Sequence, residues 1–134
     1  MDQTKKRKII DGEDLSTGLK RGIDKLANTV KVTMGPKGKL VLIQRPGMHP
    51  TVTKDGVTVA QSVNLEDEVE NLGAQVIKEA AARTADEAGD GTTTATVLAQ
   101  SIYSEGLKMI AAGFDRVGIK KGIEKALGII VEAI

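Results

Sequence analysis

The feature that most constrains the fold is a set of four segments in which apolar residues recur every three or four positions. This spacing places the apolar side chains on one face of an α-helix and predicts four amphipathic helices. The apolar sets are Leu15, Leu19, Ile23, Leu26 and Val30; Leu65, Val69, Leu72, Val76 and Ala80; Val97, Leu98, Ile102, Leu107, Ile110 and Ala111; and Ile119, Ile123, Leu127, Ile130 and Ile134. The third helix is expected to run from about Thr92 to Ala112, and Asn64 and Asp115 are placed to cap the second and fourth. The sequence therefore predicts a mainly α fold.

Between the first two helices the pattern changes to short extended segments. Lys39–Ile43 is rich in branched apolar residues, Arg45–Pro50 is rich in turn formers, and Thr51–Thr53 resumes extended character. This order predicts a β-hairpin. An isolated hairpin has little stability of its own. It is expected either to fold onto the helices of its own chain or to pair with a strand from another subunit.

Composition narrows the function classes. The 134 residues suit one domain, there is no cysteine, and the net charge is +1, so disulfide scaffolds, thiolate metal sites and a general attraction to nucleic acid or membranes are not expected. No apolar run approaches the roughly 18 residues that span a membrane. The basic start lacks the hydrophobic stretch of a secretory signal, which favours the cytoplasm. The cluster Lys5–Lys8 is consistent with a solvated tail or with nucleic-acid contact, but Tyr103 and Phe114 are the only aromatic residues available for base stacking.

The segment from Gly89 to Thr96 carries the strongest chemical signal. It reads Gly-Asp-Gly-Thr-Thr-Thr-Ala-Thr and comes directly before a predicted helix. The first turn of a helix offers unpaired N–H groups and the positive end of the dipole, and the threonines add hydroxyl donors. A carboxylate at Asp90, together with phosphate oxygens, suits Mg²⁺. The segment indicates a phosphate site, although a Gly-Asp-Gly turn with a threonine cap explains it equally well.

Two further glycine turns strengthen the phosphate hypothesis. The segment 33–38, Thr-Met-Gly-Pro-Lys-Gly, ends the first helix with a hydroxyl and exposed amides, and the segment 53–56, Thr-Lys-Asp-Gly, places a cation beside a carboxylate. Each alone is also typical of an ordinary helix stop or a solvated turn. Together with Asp90 they predict one triphosphate site, with amides and hydroxyls for the oxygens and Lys54 for charge.

The order and spacing of these strings closely resemble the bacterial-type, 60-kDa-class (group I) chaperonins. The matching strings are Thr-Met-Gly-Pro-Lys-Gly, Thr-Val-Thr-Lys-Asp-Gly-Val-Thr-Val-Ala, Asn-Leu-Gly-Ala-Gln and Ala-Gly-Asp-Gly-Thr-Thr-Thr-Ala-Thr-Val-Leu-Ala-Gln. The resemblance extends from about Gly18 to Ile134. It implies a multihelical chaperonin equatorial-type domain with a small β-hairpin, of which residues 1–134 are the N-terminal segment.

The resemblance also implies a role for individual residues. Thr33, Met34, Gly35 and Pro36 would line an ATP site, with Met34 in place of the usual leucine. Lys54 and the segment Gly91, Thr92, Thr93 and Thr94 would hold the phosphates, Asp90 would coordinate Mg²⁺, and Asp55 would act as a catalytic helper near the attacking water. The hairpin would pair with a neighbouring subunit of a homo-oligomeric ring.

The sequence departs from the family in extent. Family chains continue for several hundred residues, with a hinge domain, an apical domain that binds unfolded clients and the co-chaperonin, and a return segment that completes the ATP site. The segment from Lys5 to Thr17 also differs from the family pattern. The periodic pattern is unbroken at Ile134, so we expect the chain to be cut from a longer one. The functional expectation is an ATP-dependent chaperone subunit. The alternatives are a non-hydrolysing nucleotide-binding or ring-interaction module, and a nucleic-acid-associated protein that uses the basic tail.

Overall fold

The computed structural model describes residues 12–134, and the basic cluster Lys5–Lys8 lies outside them. The elements in chain order are α1 (Gly12–Lys31), β1 (Val41–Ile43), β2 (Thr51–Thr53), α2 (Gly56–Ser62), α3 (Glu68–Ala88), α4 (Thr92–Ala111) and α5 (Arg116–Ala133). The prediction of a mainly α fold with one small hairpin is confirmed. The chain divides within α4 into two units, up to Gln100 and from Ser101 onward. No helix among the described residues has both the length and the apolar character needed to span a membrane.

The packing of α1 against α3 forms the core of the first unit. On α1 the predicted stripe is correct, since Ile23, Leu26 and Val30 are buried. The crossing is close because it contains glycines. A Cβ added to Gly22 would collide with the backbone carbonyl of Glu70, and one added to Gly73 would collide with the backbone of Leu19. The two backbones therefore approach without intervening side chains.

The apolar stripe predicted for α3 is wrong in two positions. Leu72 and Val76 are 51% and 60% exposed. Of the buried residues, Val69 belongs to the predicted stripe, and the others lie one or two positions away from it: Glu70, Gly73, Ala74, Ile77 and Ala81. Three of these others are small, namely Gly73, Ala74 and Ala81. Close backbone contact selects small residues for the inner face, so the largest apolar side chains did not mark it.

The start of α3 also differs from the prediction. Asp67, not Asn64, is the N-cap, and its Oδ1 accepts hydrogen bonds from the amides of Val69 at 3.0 Å and Glu70 at 2.9 Å. The amide of Leu65 instead donates to Asn71 Oδ1 at 3.2 Å. The preceding residues thus form a loop that is fastened to the first turn of α3.

The hairpin forms as predicted, with antiparallel pairing in the register Val41–Thr53, Leu42–Val52 and Ile43–Thr51. Ile43 is buried and β1 contacts α2, so one face packs on the helices of the same chain. Leu42 and Val52, which are partners in the register, are 62% and 59% exposed. The pairing with a strand from another subunit stays a prediction.

Helix α2 was not predicted. Its sequence is Gly-Val-Thr-Val-Ala-Gln-Ser, in which β-branched residues favour an extended strand. The helix forms because Asp55 caps its first turn and because Val59 and Ala60 become fully buried. Tertiary burial here outweighs local propensity.

The second unit, residues 101–134, contains the end of α4 and all of α5. The cap predicted at Asp115 is confirmed, since its Oδ2 accepts from the amide of Gly118 at 2.8 Å. No residue of the second unit is buried. Of the apolar stripe predicted for α5, only Ile119 is half-buried, and the other members are exposed. Exposed apolar side chains on α5 include Ile123, Leu127, Ile129, Ile130 and Val131.

Candidate functional site

The first segment of the candidate site is the turn that ends α1. Thr33 is buried, with 7% of its surface exposed, and its hydroxyl donates to the carbonyl of Val30 at 2.8 Å. Gly35 has φ +78°, a left-handed conformation that favours glycine, and its carbonyl accepts from the amide of Gly38 at 2.9 Å. Met34 and Pro36 are exposed on this turn. The turn is thus rigid at Thr33 and open to solvent at its tip.

The second segment is the turn between β2 and α2. The carboxylate of Asp55 accepts from the amides of Thr58 at 2.9 Å and Val57 at 3.3 Å, and from the Thr58 hydroxyl. The hydroxyl and amide of Thr58 lower the pKa of Asp55 below its ordinary value, so this carboxylate is ionised at neutral pH. Its position is fixed by capping α2.

The third segment is the turn from α3 into α4. Gly89 and Gly91 have φ +72° and +83°, conformations that other residues rarely adopt. Between them, the exposed Asp90 accepts from the amide of Gly91 at 2.7 Å. Thr92 is buried, Thr93 is half-buried and Thr94 is exposed. The first amides of α4 have no acceptor within their own helix, so they are free to bind an anion that reaches this end.

Gly56 is the point at which these segments meet. A Cβ built on Gly56 would collide with the hydroxyl oxygen of Thr93 and would lie 3.4 Å from the hydroxyl oxygen of Thr33. Lys54 lies beside the first turn, because a Cβ built on Gly38 would be 2.9 Å from Lys54 Cε. The structure therefore brings together Thr33, Lys54 and Thr93, which are three of the predicted site residues and come from three separate segments.

The donor set suits a phosphate group and a magnesium ion. The Thr93 hydroxyl, the ammonium of Lys54 and the positive end of α4 meet in one region beside Thr33, and these are groups that bind phosphate oxygens. The described residues contain no cluster of three or more His, Cys, Asp or Glu side chains able to hold a metal. Asp90 supplies one hard oxygen donor, and Mg²⁺ commonly takes its other ligands from phosphate and water.

The remaining predicted residues take peripheral places. Met34, Gly35 and Pro36 form the exposed tip of the first turn, and Thr94 faces solvent on α4. Gly56 was missed by the sequence reasoning, which treated it as part of a turn. The signal for Gly56 was its position directly after Asp55, the N-cap of α2. A glycine at this helical position is not needed for a left-handed backbone angle, so it indicates that another segment packs closely against the backbone.

Comparisons with known proteins identify the family. The model of the TCP-1/cpn60 chaperonin family matches residues 26–134. A similar solved structure is the chaperonin gp146 from the bacteriophage EL 2 (Pseudomonas aeruginosa), determined in the presence of ATP-BeFx, with 35% identity and a TM-score of 0.69. The match covers 87% of this chain and 20% of the phage chain, so the chain spans about a fifth of that protein's length. From its sequence and its fold, the chain belongs to the TCP-1/cpn60 chaperonin family.

Proposed function

We propose that this chain binds MgATP at the meeting point of Thr33, Lys54, Gly56 and Thr93, as part of an ATP-hydrolysing group I chaperonin subunit. The observation that carries the proposal is the contact of the first turn of α4 with Gly56 and, through it, with Thr33. Three segments that are far apart in sequence place phosphate-binding groups in one region. The phage chaperonin with the same fold was determined with an ATP analogue, which supports nucleotide as the ligand.

Each residue has a defined task in this proposal. The amides of Gly91–Thr94 and the hydroxyl of Thr93 bind phosphate oxygens, and Lys54 offsets their charge. Thr33 lines the site, with its hydroxyl bonded to the Val30 carbonyl. Asp90 holds Mg²⁺, which neutralises charge that develops on the phosphates. Asp55 is ionised and therefore acts as a hydrogen-bond acceptor that orients water. The turn at 34–36 lies beside the site and contacts the rest of the nucleotide.

The proposal extends to the assembly by family membership. Subunits would form a homo-oligomeric ring, in which the exposed Leu42 and Val52 face of the hairpin meets a neighbouring subunit. Unfolded clients and a co-chaperonin would bind domains beyond these 134 residues. Nucleotide binding without release of inorganic phosphate would instead identify a non-hydrolysing module, so steady-state phosphate release separates the two functions.

The proposal is tested by calorimetric titration with ATP in the presence and in the absence of Mg²⁺. We expect Asp90→Ala to weaken binding at least about tenfold when Mg²⁺ is present, which is about 1.4 kcal/mol, and to leave Mg²⁺-free binding nearly unchanged. Asp86→Ala is the matched control, because Asp86 is an exposed aspartate on α3, four residues earlier. An Asp90→Ala protein whose affinity keeps the Mg²⁺ dependence of the wild type would refute the metal role.

A further inference from the structure

The inner face of α4 in the first unit is polar. Its buried residues are Thr92, Thr96 and Gln100, whereas Leu98 on the opposite face is 56% exposed. A helix usually packs through an apolar stripe, and the hydrophobic effect that holds such a stripe is non-directional. Hydrogen bonds have stricter geometry, so a helix held by them has a defined axial position.

Gln100 makes the hydrogen bonds that join this face to α1. Its Nε2 donates to Asp24 Oδ1 at 2.7 Å and, more weakly, to Asn28 Oδ1 at 3.4 Å. Its Oε1 accepts from Lys31 Nζ at 2.6 Å. Both ends of the amide are therefore used, and only 8% of the residue is exposed. Exchanging the two ends would place donor against donor at Lys31 and acceptor against acceptor at Asp24.

The three partners lie along one face of α1, and both helices lead into the candidate site. Thr33 follows Lys31 by two residues, and Thr93 precedes Gln100 by seven, or roughly 10 Å along the helix axis. The fully buried Thr96 lies between them, and its hydroxyl donates within α4 to the Thr92 carbonyl at 2.9 Å. Gln100 and the contact of Thr93 with Gly56 thus fix α4 at two points.

We propose that Gln100 is a positioning residue, which sets the axial register of α4 against α1 and thereby the placement of the Thr92–Thr94 turn beside Thr33. The functional part of this inference rests on the proposed nucleotide site. Gln100 touches no phosphate in this scheme; it acts through the helix. A residue that merely holds two helices together would change stability and leave the ligand affinity of the folded protein unaltered.

The negative charge on Asp24 allows one substitution at Gln100 to turn the hydrogen bond between these residues into a repulsion. Burial opposes ionisation of Asp24, but hydrogen bonds from Lys20 and Gln100 outweigh it, and the pKa of this carboxyl is lowered. Gln100→Glu therefore puts a second carboxylate against an ionised one and keeps the acceptor for Lys31. Adding Asp24→Asn restores a donor opposite the new carboxylate, with the direction of the hydrogen bond reversed.

The test measures MgADP affinity by calorimetry and amide hydrogen exchange in residues 92–96. We expect Gln100→Glu to weaken MgADP binding about tenfold and to speed exchange in that segment, because a charge-assisted hydrogen bond is lost. The double variant Asp24→Asn with Gln100→Glu should recover affinity to within about threefold of wild type, about 0.7 kcal/mol. Recovery by the second substitution would not follow from a general loss of packing.

Glu70→Gln is the control for stability. Glu70 pairs with Arg21 at 3.1 Å and with Lys25, and these ion pairs join α1 to α3. The Glu70→Gln substitution should lower the melting temperature without changing MgADP affinity. Equal affinities for wild type and Gln100→Glu, or equal losses in Gln100→Glu and Glu70→Gln, overturn the inference. If the wild-type protein binds no MgADP, the proposed function fails, and amide exchange in residues 92–96 then tests the role of Gln100 by itself. Faster exchange in Gln100→Glu supports the role of Gln100 in setting the register of α4, and unchanged exchange overturns it.

Discussion

Gly56 shows how one residue without a side chain organises the candidate site. It is buried at the start of α2, and the space that a Cβ would take is occupied by Thr93 and bordered by Val30 and Thr33. Its backbone angles are ordinary, so any residue could adopt them. Glycine is required here by the neighbouring side chains, and the requirement links three segments of the chain.

We expect Gly56→Ala to destabilise the protein by about 1–3 kcal/mol, the range for overpacking a well-filled site. Thr93 is β-branched and stiff at χ1, so its hydroxyl must shift and MgADP affinity should fall as well. Urea unfolding and calorimetric titration measure the two effects. Gly106→Ala in α4 is the control, because no atom lies within 4 Å of its Cβ position, and it should be neutral or stabilising by up to about 1 kcal/mol. Matching stabilities in the two variants would contradict the packing argument.

The residues of the site divide by the kind of information that reveals them. Thr33, Lys54, Asp90 and Thr93 stand in glycine turns with recognisable anion chemistry, so the sequence alone predicts them. Gln100 carries no such local pattern. Its role depends on Asp24 and Lys31, which are more than 65 residues away and meet it only after the helices pack.

At the scale of elements, the crossing of α1 and α3 is the main structural contact of the first unit. Three glycines line it, but their neighbours differ. Gly22 and Gly73 face backbone atoms, whereas a Cβ on Gly18 would meet the side chain of Val69, with Cγ1 at 2.5 Å and Cβ at 3.1 Å. A substitution cannot remove the backbone atoms that face Gly22 and Gly73, but it can shorten the Val69 side chain that faces Gly18.

This difference gives a prediction about additivity. Gly18→Ala and Val69→Ala should each destabilise the protein, the first by overpacking by about 1–3 kcal/mol and the second through a lost apolar contact. The double variant should be more stable than the sum of the single effects by about 1 kcal/mol, since removing the Val69 γ carbons makes room for the new methyl group. A double-mutant cycle in urea measures the coupling. Gly22→Ala combined with Val69→Ala is the comparison, and additivity in both cycles would contradict the assigned contact.

The elements also show where sequence patterns stop being informative. The α1 stripe and the hairpin were predicted because large apolar residues and turn formers mark them. On α3 half of the buried residues are small, namely Gly73, Ala74 and Ala81, and the periodicity of large residues pointed instead to Leu72 and Val76, which are exposed. Helix α2 is short and β-branched, and its stability comes from burial of Val59 and Ala60. Packing contacts of this kind cannot be read from local composition.

At the scale of the whole molecule, the described carboxylates with altered pKa values share one direction. Burial opposes ionisation of Asp24, but hydrogen bonds from Lys20 and Gln100 outweigh this effect. Hydrogen bonds from Thr58 stabilise the charged form of Asp55. A hydrogen bond from Lys25 stabilises the charged form of Glu70. Each has a lowered pKa. A carboxyl group with a lower pKa in the folded than in the unfolded state contributes stability above its unfolded pKa. That contribution is lost as the pH falls through the folded pKa.

We therefore expect the free energy of unfolding to decline as the pH falls from about 5 to 3, across the ordinary carboxyl pKa values of 3.8 and 4.5 and below them. Glu70 joins two cations of α1 to α3, so Glu70→Gln should lower stability at pH 7 and make its decline with acid shallower. Both proteins should converge at low pH, as the wild-type carboxyl becomes protonated. Glu124→Gln is the control, because Glu124 forms an exposed pair with Lys120 at 3.8 Å and should follow the wild-type profile. Urea unfolding at each pH gives the curves, and parallel profiles for wild type and Glu70→Gln would show that the ion pairs between α1 and α3 do not stabilise the fold.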